Sequence, residues 1–546
     1  MYLSEHVINE TMMVIGEDVK KMYKKWSEKY NVCERILLVF VFIAGVFLRV
    51  LLTYKHFTHY DDIGLITSLL QFGDRFIERL KYRELGWTYA PFQVAMISLL
   101  INKKWGYTGN IILGRLPSLF FSIVNLLLFL YLLDKKCKNK FALFFSIYLI
   151  LFSWENIIYA AQAEPYSICV TAMLLCLILY LRIIEDKDIN IVLTGFICAW
   201  SCYASYQMCV YIFAFYVSIF FFFLFKKNIS KVRGTIFSGC LTFILCVPLI
   251  INFFRYHLLS RSVNWNQGDN GQFLFCVDNA ENKLLYFLSF FIRNTVIFFR
   301  SFFVYYEQGL LVNVLSIFIF LATVIGLIYL HHKEKWIAIF IDGCYLTTFV
   351  MILSGRLTYS PSRHLLVIEP IIIFLFAVGI SYIFNKDKTF IIKLLYIGTF
   401  LSAIFIFVLN FHNEFELRKN RISEYKVYKM VHEYEPALIM FYGNTFDLDL
   451  MEIENYDAIL SGGYQPQCIK KCESEIKSGE FICFFSRARK LNAEDFAYLE
   501  DAIGIGNKEL ELVTIDEYFG DIEVEYARGE FDNDGNNEFF YLYKIN

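Results

Sequence analysis

The sequence predicts an α-helical polytopic membrane protein with about eleven transmembrane helices and a small C-terminal extracytoplasmic α/β domain. Of its 546 residues, 57% are hydrophobic and only 19% are charged, whereas soluble domains usually carry about 25% charged residues. The apolar residues form long blocks with few charges, which are candidate membrane spans. After about residue 411 charges become frequent and apolar runs shorten, so a separate soluble domain is expected there.

The predicted spans lie between residues 36 and 409. Their approximate bounds are 36–53, 111–133, 141–159, 165–184, 190–206, 207–225, 235–254, 311–330, 336–353, 364–384 and 390–409. Segment 286–304 is also apolar but contains Arg293 and Arg300, so it is either a twelfth span or an interfacial helix. The interfacial helix is preferred, because a twelfth span would move the basic segment after residue 330 to the outer side. Polar residues 1–35 run directly into the first apolar block, a pattern typical of a retained signal anchor.

Lysine and arginine in the short loops predict the orientation of the chain. With eleven spans, every basic loop falls on the cytoplasmic side. These basic segments are 20–29, 135–140, 226–233 and 333–335. The protein is therefore predicted to be a multi-pass cell-membrane protein with a cytoplasmic N-terminus and an extracytoplasmic C-terminal domain.

The predicted domains follow from this orientation. Residues 1–35 form a cytoplasmic segment, residues 36–410 form the membrane domain, and residues 411–546 form the extracytoplasmic domain. Within the membrane domain, loops 54–110 and 255–310 lie outside.

Local patterns predict further elements outside the spans. Apolar residues from Ile63 to Leu80 recur at helical spacing, and Pro91 opens a second apolar segment over 91–101, which indicates amphipathic helices on the outer membrane face. In the C-terminal domain, short apolar runs predict strands and longer mixed segments predict helices. The strands are expected at 437–442, 457–460, 481–485 and 538–544, and the helices at 424–433 and 493–502.

The first outer loop contains two adjacent carboxylates, Asp61 and Asp62, close to the end of the first span. A carboxylate at the membrane surface can act as a general base that takes a proton from an attacking hydroxyl. The alternative is a helix N-cap, for which aspartate is favoured.

A second candidate, Glu164, precedes Pro165 at the outer start of the span 165–184. An acid here would also favour the helix dipole, and proline is ordinary at the first helical position. Glu164 and Asp61 are predicted on the same membrane face, which favours a shared catalytic site.

Candidate phosphate ligands lie in a short outer loop and at the ends of two spans. The loop contains Arg356, Tyr359, Arg363 and His364. Arginine pairs bidentately with phosphate, although it can also anchor lipid headgroups. Arg49, near the outer end of the first span, and Arg115, near the start of the second, are further phosphate candidates, with snorkelling as their alternative.

One acidic candidate lies within a predicted span. Glu369 falls within the predicted span 364–384. Such residues are functional candidates by default, although pairing to a neighbouring charge would also explain them.

The sequence excludes or weakens several other functions. The net charge is −2, and no basic segment is interleaved with aromatic residues, so no nucleic-acid partner is expected. Cys468 and Cys472 lack partners at zinc spacing, and no metal ligands are assigned. The composition establishes no cofactor, although participation of a divalent metal is left open.

Taken in chain order, five segments resemble the GT-C membrane glycosyltransferases, specifically the family 39-like group of protein O-mannosyltransferases and the lipid A aminoarabinose transferase. The resemblance covers roughly residues 36–384. Its motifs are Asp61-Asp62, Pro91-Phe92-Gln93, Arg115-Leu116-Pro117-Ser118, Ala161-Gln162-Ala163-Glu164-Pro165-Tyr166 and Arg363-His364-Leu365-Leu366. The chain departs from the family where Asp62 replaces the usual glutamate and where Gln162 and Glu164 replace basic residues.

The resemblance implies transfer of a sugar from a polyprenyl-phosphate donor to an acceptor hydroxyl on a glycan, lipid or protein at the outer face. Asp61 would be the base, the anomeric carbon would invert, and arginines would stabilise the phosphate leaving group. The membrane lipid would hold the donor chain. Two alternatives stay open, namely a flippase or transporter of lipid-linked sugar and a non-catalytic envelope-binding membrane protein.

Overall fold

The fold was analysed in a computed structural model that describes only part of the chain. The described residues are 30–54, 65–66, 69–70, 90–137, 139–185, 190–253, 275, 282–303, 309–354, 357–359, 363–386, 398–409, 429–430, 432–442, 456–458, 467–471, 479–486, 510–518 and 538–545.

Most of these residues are helical. The α-helices are α1 Val32–Tyr54, α2 Pro91–Leu100, α3 Gly106–Lys136, α4 Lys140–Phe152, α5 Trp154–Ala160, α6 Tyr166–Ile184, α7 Ile191–Ala204, α8 Met208–Phe225, α9 Ile229–Phe253, α10 Lys283–Arg300, α11 Leu310–Lys333, α12 Lys335–Leu353, α13 Glu369–Lys386 and α14 Gly398–Leu409. Two 3-10 helices occupy Lys103–Trp105 and Arg363–Ile368.

Within the described residues, eight helices are long and apolar enough to cross a membrane. They are α1, α3, α6, α8, α9, α11, α12 and α13. Three predicted spans are shorter as helices, because 141–159 breaks at Ser153, 190–206 is helical over Ile191–Ala204, and 390–409 is described as a helix from Gly398. The structure therefore supports a helical membrane protein, and the count of eleven spans stays a prediction.

Polar caps explain where several of these helices begin. The Asn139 side chain accepts hydrogen bonds from the amides of Phe141 and Ala142, and Asn190 serves the start of α7 in the same way. Pro91 occupies the first position of α2, where its missing N–H costs nothing. These caps satisfy amides that lack intrahelical partners.

The chain divides into two compact units, Met1–Leu48 and Arg49–Asn546. In the first unit, Asn31 and Glu34 form a reciprocal cap at the start of α1. The Asn31 side chain accepts from the Glu34 amide at 2.8 Å, and the Glu34 carboxylate accepts from the Asn31 amide at 2.9 Å. This pairing satisfies two donors at the helix start.

In the second unit, α13 is the most enclosed of the candidate spans. It packs extensively against α11 and also contacts α4, α6 and the 3-10 helix Arg363–Ile368. Other helix pairs are α3 with α6 and α7 with α9. The core around α13 is apolar, with Ile371, Phe374 and Phe376 buried, so the burial of α13 stabilises the bundle through close packing.

Helix α10 corresponds to the segment predicted to lie at the interface. It ends at Arg300 and also contains Arg293, and it is not among the eight candidate spans. Phe290 and Asn294 are buried, whereas Leu284 and Ile292 are exposed. This distribution agrees with a helix that has one face on protein, while its depth in a membrane stays a prediction.

The C-terminal strands form one six-stranded sheet with the order β2-β3-β1-β4-β6-β5. The strands are β1 Leu438–Tyr442, β2 Tyr456–Ala458, β3 Gln467–Lys471, β4 Phe481–Ser486, β5 Leu510–Tyr518 and β6 Glu538–Ile545. Strands β1 and β4 pair in parallel, and the other pairs are antiparallel.

Strand prediction succeeded where the apolar run was dense. The predicted strands 437–442, 481–485 and 538–544 match β1, β4 and β6, and the predicted strand 457–460 overlaps β2 at residues 457 and 458. Strands β3 and β5 were missed because their sequences, QCIKK and LELVTIDEY, mix charged and apolar residues. The predicted helix 493–502 lies outside the described residues. Of 424–433, residues 429–430 and 432–433 are described, and they are helical.

Candidate functional site

The residues predicted from sequence fall into two groups in the structure. Asp61, Asp62 and Arg356 lie outside the described residues, so their roles stay predictions. The backbone of Arg363 and His364 opens the 3-10 helix that leads into α13, but their side chains lie outside the described part. The remaining candidates are described with their side chains and can be placed.

Three segments of the predicted site meet through one serine hydroxyl. The Gln93 side-chain amide on α2 donates to the Ser118 hydroxyl on α3 at 2.9 Å. The Ser118 hydroxyl then donates to the backbone carbonyl of Glu164 at 2.7 Å. All three residues are buried. This chain brings together positions that are 71 residues apart in sequence, and we call it the Ser118 cluster.

Arg115 lies one turn before Ser118 on α3 and is fully buried. Its Nη1 donates to the backbone carbonyl of Thr53, in the last turn of α1, at 3.4 Å. A buried guanidinium must be satisfied by acceptors, and it gives this end of α3 a fixed positive charge. Arg115 is therefore anchored in the protein and does not snorkel toward an interface.

Tyr359 contacts helix α10. Its hydroxyl hydrogen-bonds with the Thr295 hydroxyl of α10 at 2.6 Å, and its ring packs near Phe290 and Phe291. Burial raises the pKa of the Tyr359 hydroxyl, while the bond to Thr295 opposes this shift. Tyr359 is therefore a neutral hydroxyl that joins the loop before α13 to α10.

A second polar cluster forms where the predicted span 141–159 breaks. Ser153 separates α4 from α5, and its side chain caps α5. The Ser153 hydroxyl donates to Glu369 Oε1 at 3.2 Å, and the Asn156 side-chain amide donates to Glu369 Oε2 at 2.7 Å. Glu369 is 4% exposed. We call Arg49, Ser153, Glu155, Asn156 and Glu369 the Glu369 cluster.

Arg49 binds the C-terminal end of α4, on the other side of this break. Its Nη1 and Nη2 donate to the carbonyls of Leu151 and Ile150 at 2.9 and 3.1 Å, and its Nε donates to the Ser122 hydroxyl at 2.8 Å. Those carbonyls lie in the last turn of α4, where intrahelical donors run out. A cation there also favours the helix dipole. Arg49 therefore stabilises the interrupted helix.

The two clusters adjoin along α1. Arg49 belongs to the Glu369 cluster, and Thr53, whose carbonyl receives Arg115, lies four residues later and donates its hydroxyl to the Arg49 carbonyl at 2.8 Å. Four helical residues span about 6 Å. On α3, the Ser122 hydroxyl accepts from Arg49, and Arg115 donates to the Thr53 carbonyl. The described part of the membrane domain thus contains two neighbouring polar sites joined by the same pair of helices.

Glu155 is the residue that the sequence analysis missed. It is 3% exposed, and its carboxylate interacts with Glu369 and with the Ser301 hydroxyl that follows α10. The signal was present, because Glu155 is an ionisable residue within a predicted apolar span. A continuous helix over 141–159 would give Glu155 no special position, whereas in the structure it lies in the first turn of α5, directly after the break at Ser153.

Within the described residues, no group of three histidine, cysteine or acidic side chains is arranged to hold a metal ion. Several buried cysteines contact polar atoms of neighbouring helices, as Cys169 does with the Ala204 carbonyl at 3.8 Å and Cys176 with the Ser201 hydroxyl at 3.7 Å. Participation of a divalent metal stays open, because Asp61 and Asp62 lie outside the described part.

No known protein-family profile matches the chain, and no curated protein sequence matches it either. The class of the protein is therefore defined by its fold, which has several helices able to cross a membrane and a small C-terminal sheet. The assignment of an activity depends on the buried polar clusters.

Proposed function

We propose that this protein transfers a sugar from a polyprenyl-phosphate donor to an acceptor hydroxyl at the extracytoplasmic face of the membrane. One observation carries the proposal, namely the hydrogen-bond chain from Gln93 through Ser118 to the Glu164 carbonyl. Three of the five segments that resemble the GT-C glycosyltransferases meet in this chain. Their convergence supports a common site built from distant parts of the sequence.

The charges near this chain suit the proposed chemistry. Arg115 is fully buried one turn from Ser118, and a fixed cation stabilises a phosphate leaving group more strongly when water is excluded. Glu164 is 8% exposed, and its backbone carbonyl is the last acceptor in the same hydrogen-bond chain. Arg363 and His364 lead into α13, and in this proposal they bind the donor phosphate together with Arg356.

In the proposed reaction, Asp61 takes the proton from the acceptor hydroxyl. The acceptor oxygen then attacks the anomeric carbon from the face opposite the phosphate. The bond between the anomeric carbon and the phosphate oxygen breaks, and polyprenyl phosphate leaves with the bonding electrons. A single displacement inverts the configuration at that carbon.

The test is a transfer assay in lipid vesicles that contain the full-length protein. Polyprenyl phosphates carrying different radiolabelled hexoses or pentoses serve as donors, and extracted envelope material serves as the acceptor. We expect label to enter the acceptor with the wild-type protein and to fall at least a hundredfold with Asp61→Asn, the lower range for loss of a general base.

Asp342→Asn is the matched control. Asp342 is partly exposed on α12 and pairs with His331 at 3.1 Å, so the same chemical change there should leave transfer unaltered. Equal transfer by the wild-type and Asp61→Asn proteins would exclude Asp61 as the base. No transfer from any of these donors would contradict the proposal itself.

A transporter of lipid-linked sugar is the second candidate, and one observation favours it. The predicted span 141–159 is interrupted at Ser153, with Arg49 at one helix end and Glu369 at the other. Interrupted membrane helices with charged partners are typical of transporter binding sites. In the same vesicles, a transporter would move labelled donor across the bilayer without transferring the sugar to an acceptor.

A further inference from the structure

The Glu369 cluster contains more negative than positive charge. Arg49, Glu155 and Glu369 are 1%, 3% and 4% exposed, so water reaches none of them freely. With all three ionised, their formal charges sum to −1. An uncompensated charge in a low-dielectric interior costs several kcal/mol, and a group in that position usually neutralises instead.

The hydrogen bonds divide unequally between the two carboxylates. Both oxygens of Glu369 accept bonds, from Ser153 and Asn156. In contrast, Glu155 Oε1 is buried and has no hydrogen-bond partner in the part of the chain that the structure describes. Glu155 lies between Ser153 and Asn156 in sequence and interacts electrostatically with Glu369, so the two carboxylates belong to one site.

The groups that act on this pair come from several elements. Arg49 of α1 interacts electrostatically with Glu369, and Glu369 repels the charged form of Glu155. Ser153 and Asn156 bind Glu369, and Ser301 after α10 interacts with Glu155. Among these described groups, Arg49 is the only cation, so it can balance one carboxylate but not two.

We propose that Glu155 and Glu369 together form an intramembrane binding site for a single proton, which is carried on Glu155 when the site is closed to water. The proton gives the site a net charge of zero. It converts the unsatisfied Glu155 oxygen from an acceptor into an O–H group and removes the repulsion between the carboxylates. Water supplies the proton and receives it again when the site opens, and no other bond changes.

This proton site is independent of the proposed sugar transfer, because that reaction uses Asp61 and the Ser118 cluster. The proton site also suggests a role for the break between α4 and α5. Protonation removes a charge beside the α4–α5 break, so proton release would favour an arrangement in which the break is open to water. An ionisable pair inside a membrane commonly serves such a relay.

The test uses a hydrophobic carbodiimide, which reacts with protonated carboxyl groups in apolar surroundings. The full-length protein in lipid nanodiscs is treated at several pH values, and the modified residue is identified by mass spectrometry. At neutral pH we expect Glu155 to be modified in the wild-type protein. The modification should decline as the pH is raised, because the proton is then lost.

The pair itself is tested by Glu369→Gln. Removing the Glu369 charge leaves Arg49 to balance Glu155, so Glu155 should ionise and its modification at neutral pH should fall several-fold. Glu185→Gln is the matched control, because Glu185 pairs with Lys136 at 3.2 Å and lies outside the cluster. It should leave the modification of Glu155 unchanged.

The thermal midpoint provides a second measurement that does not depend on the reagent. The folded protein would hold a proton that the unfolded chain releases above the ordinary glutamate pKa. Stability should therefore fall as the pH rises from that value, until the folded protein also loses the proton. The Glu155→Gln protein should lack this part of the pH dependence.

Four outcomes would overturn the proposal. The first three are an unmodified wild-type Glu155 at neutral and lower pH, equal modification of Glu155 in the wild-type and Glu369→Gln proteins, and a wild-type midpoint with the same pH dependence as Glu155→Gln. Protection of Glu155 by sodium but not by potassium at constant pH would identify a sodium site and would also overturn the proposal.

Discussion

Gly326 of α11 and Gly379 of α13 lie against each other's helix backbone. A Cβ atom at Gly326 would collide with the Leu375 carbonyl, and one at Gly379 would collide with the Ala322 carbonyl. Ala322 lies one turn before Gly326 on α11, and Leu375 lies one turn before Gly379 on α13. The two helices therefore touch through backbone atoms. Small residues permit this close approach in membrane helix pairs.

We therefore predict that Gly379→Ala destabilises the protein by about 1–3 kcal/mol, the usual cost of overpacking a tight contact. The measurement is the thermal midpoint in detergent. Gly398→Ala is the control, because a Cβ atom there would meet nothing within 4 Å, and alanine favours a helix over glycine. Equal midpoints for the two variants would contradict the close backbone contact.

The second prediction concerns Arg49. Arg49→Gln removes the guanidinium that satisfies the Ile150 and Leu151 carbonyls, and it leaves the Glu369 carboxylate without a balancing cation. We expect a loss of about 3–5 kcal/mol, as for other broken buried pairs. In the double variant Arg49→Gln/Glu369→Gln, the total loss should be smaller than the sum of the single losses, because the charges are coupled. Strict additivity would show that the two residues act separately.

The third prediction concerns the hydroxyl that joins three segments of the Ser118 cluster. Ser118→Ala removes a donor to the Glu164 carbonyl and an acceptor for Gln93. We expect a stability loss of about 1–3 kcal/mol, since buried groups are left unsatisfied. Ser354→Ala is the control, because this exposed serine bonds only locally to the Met351 carbonyl. A Ser118→Ala protein as stable as Ser354→Ala would argue against the cluster.

The fourth prediction concerns the C-terminal sheet. Burial raises the pKa of the Cys483 thiol on β4, and the residue is only 1% exposed. A raised pKa means less thiolate at any pH below it, and the thiolate is the reactive form. In the native protein, a maleimide should therefore modify the exposed Cys33 much faster than Cys483, with mass spectrometry as the readout. Comparable rates would mean that the sheet opens readily.

Individual residues show how far the sequence could predict the site. Arg115 and Glu164 were chosen from local patterns, and the structure brings the Glu164 backbone to α3 one turn from Arg115. Gln93 was quoted only as part of a motif, and its bond to Ser118 depends on how α2 packs against α3. Such contacts join residues far apart in the chain, so they cannot be predicted from local periodicity and spacing.

The sequence by itself determined that long apolar segments form helices and that the C-terminal part contains strands, because hydrophobic runs and their periods act locally. Only the tertiary structure decided that the span 141–159 breaks at Ser153. The break depends on Arg49 and Glu369, which come from distant helices and satisfy the polar groups exposed at the interruption. A buried charge is tolerated only where its partners are assembled, and that assembly is a property of the folded chain.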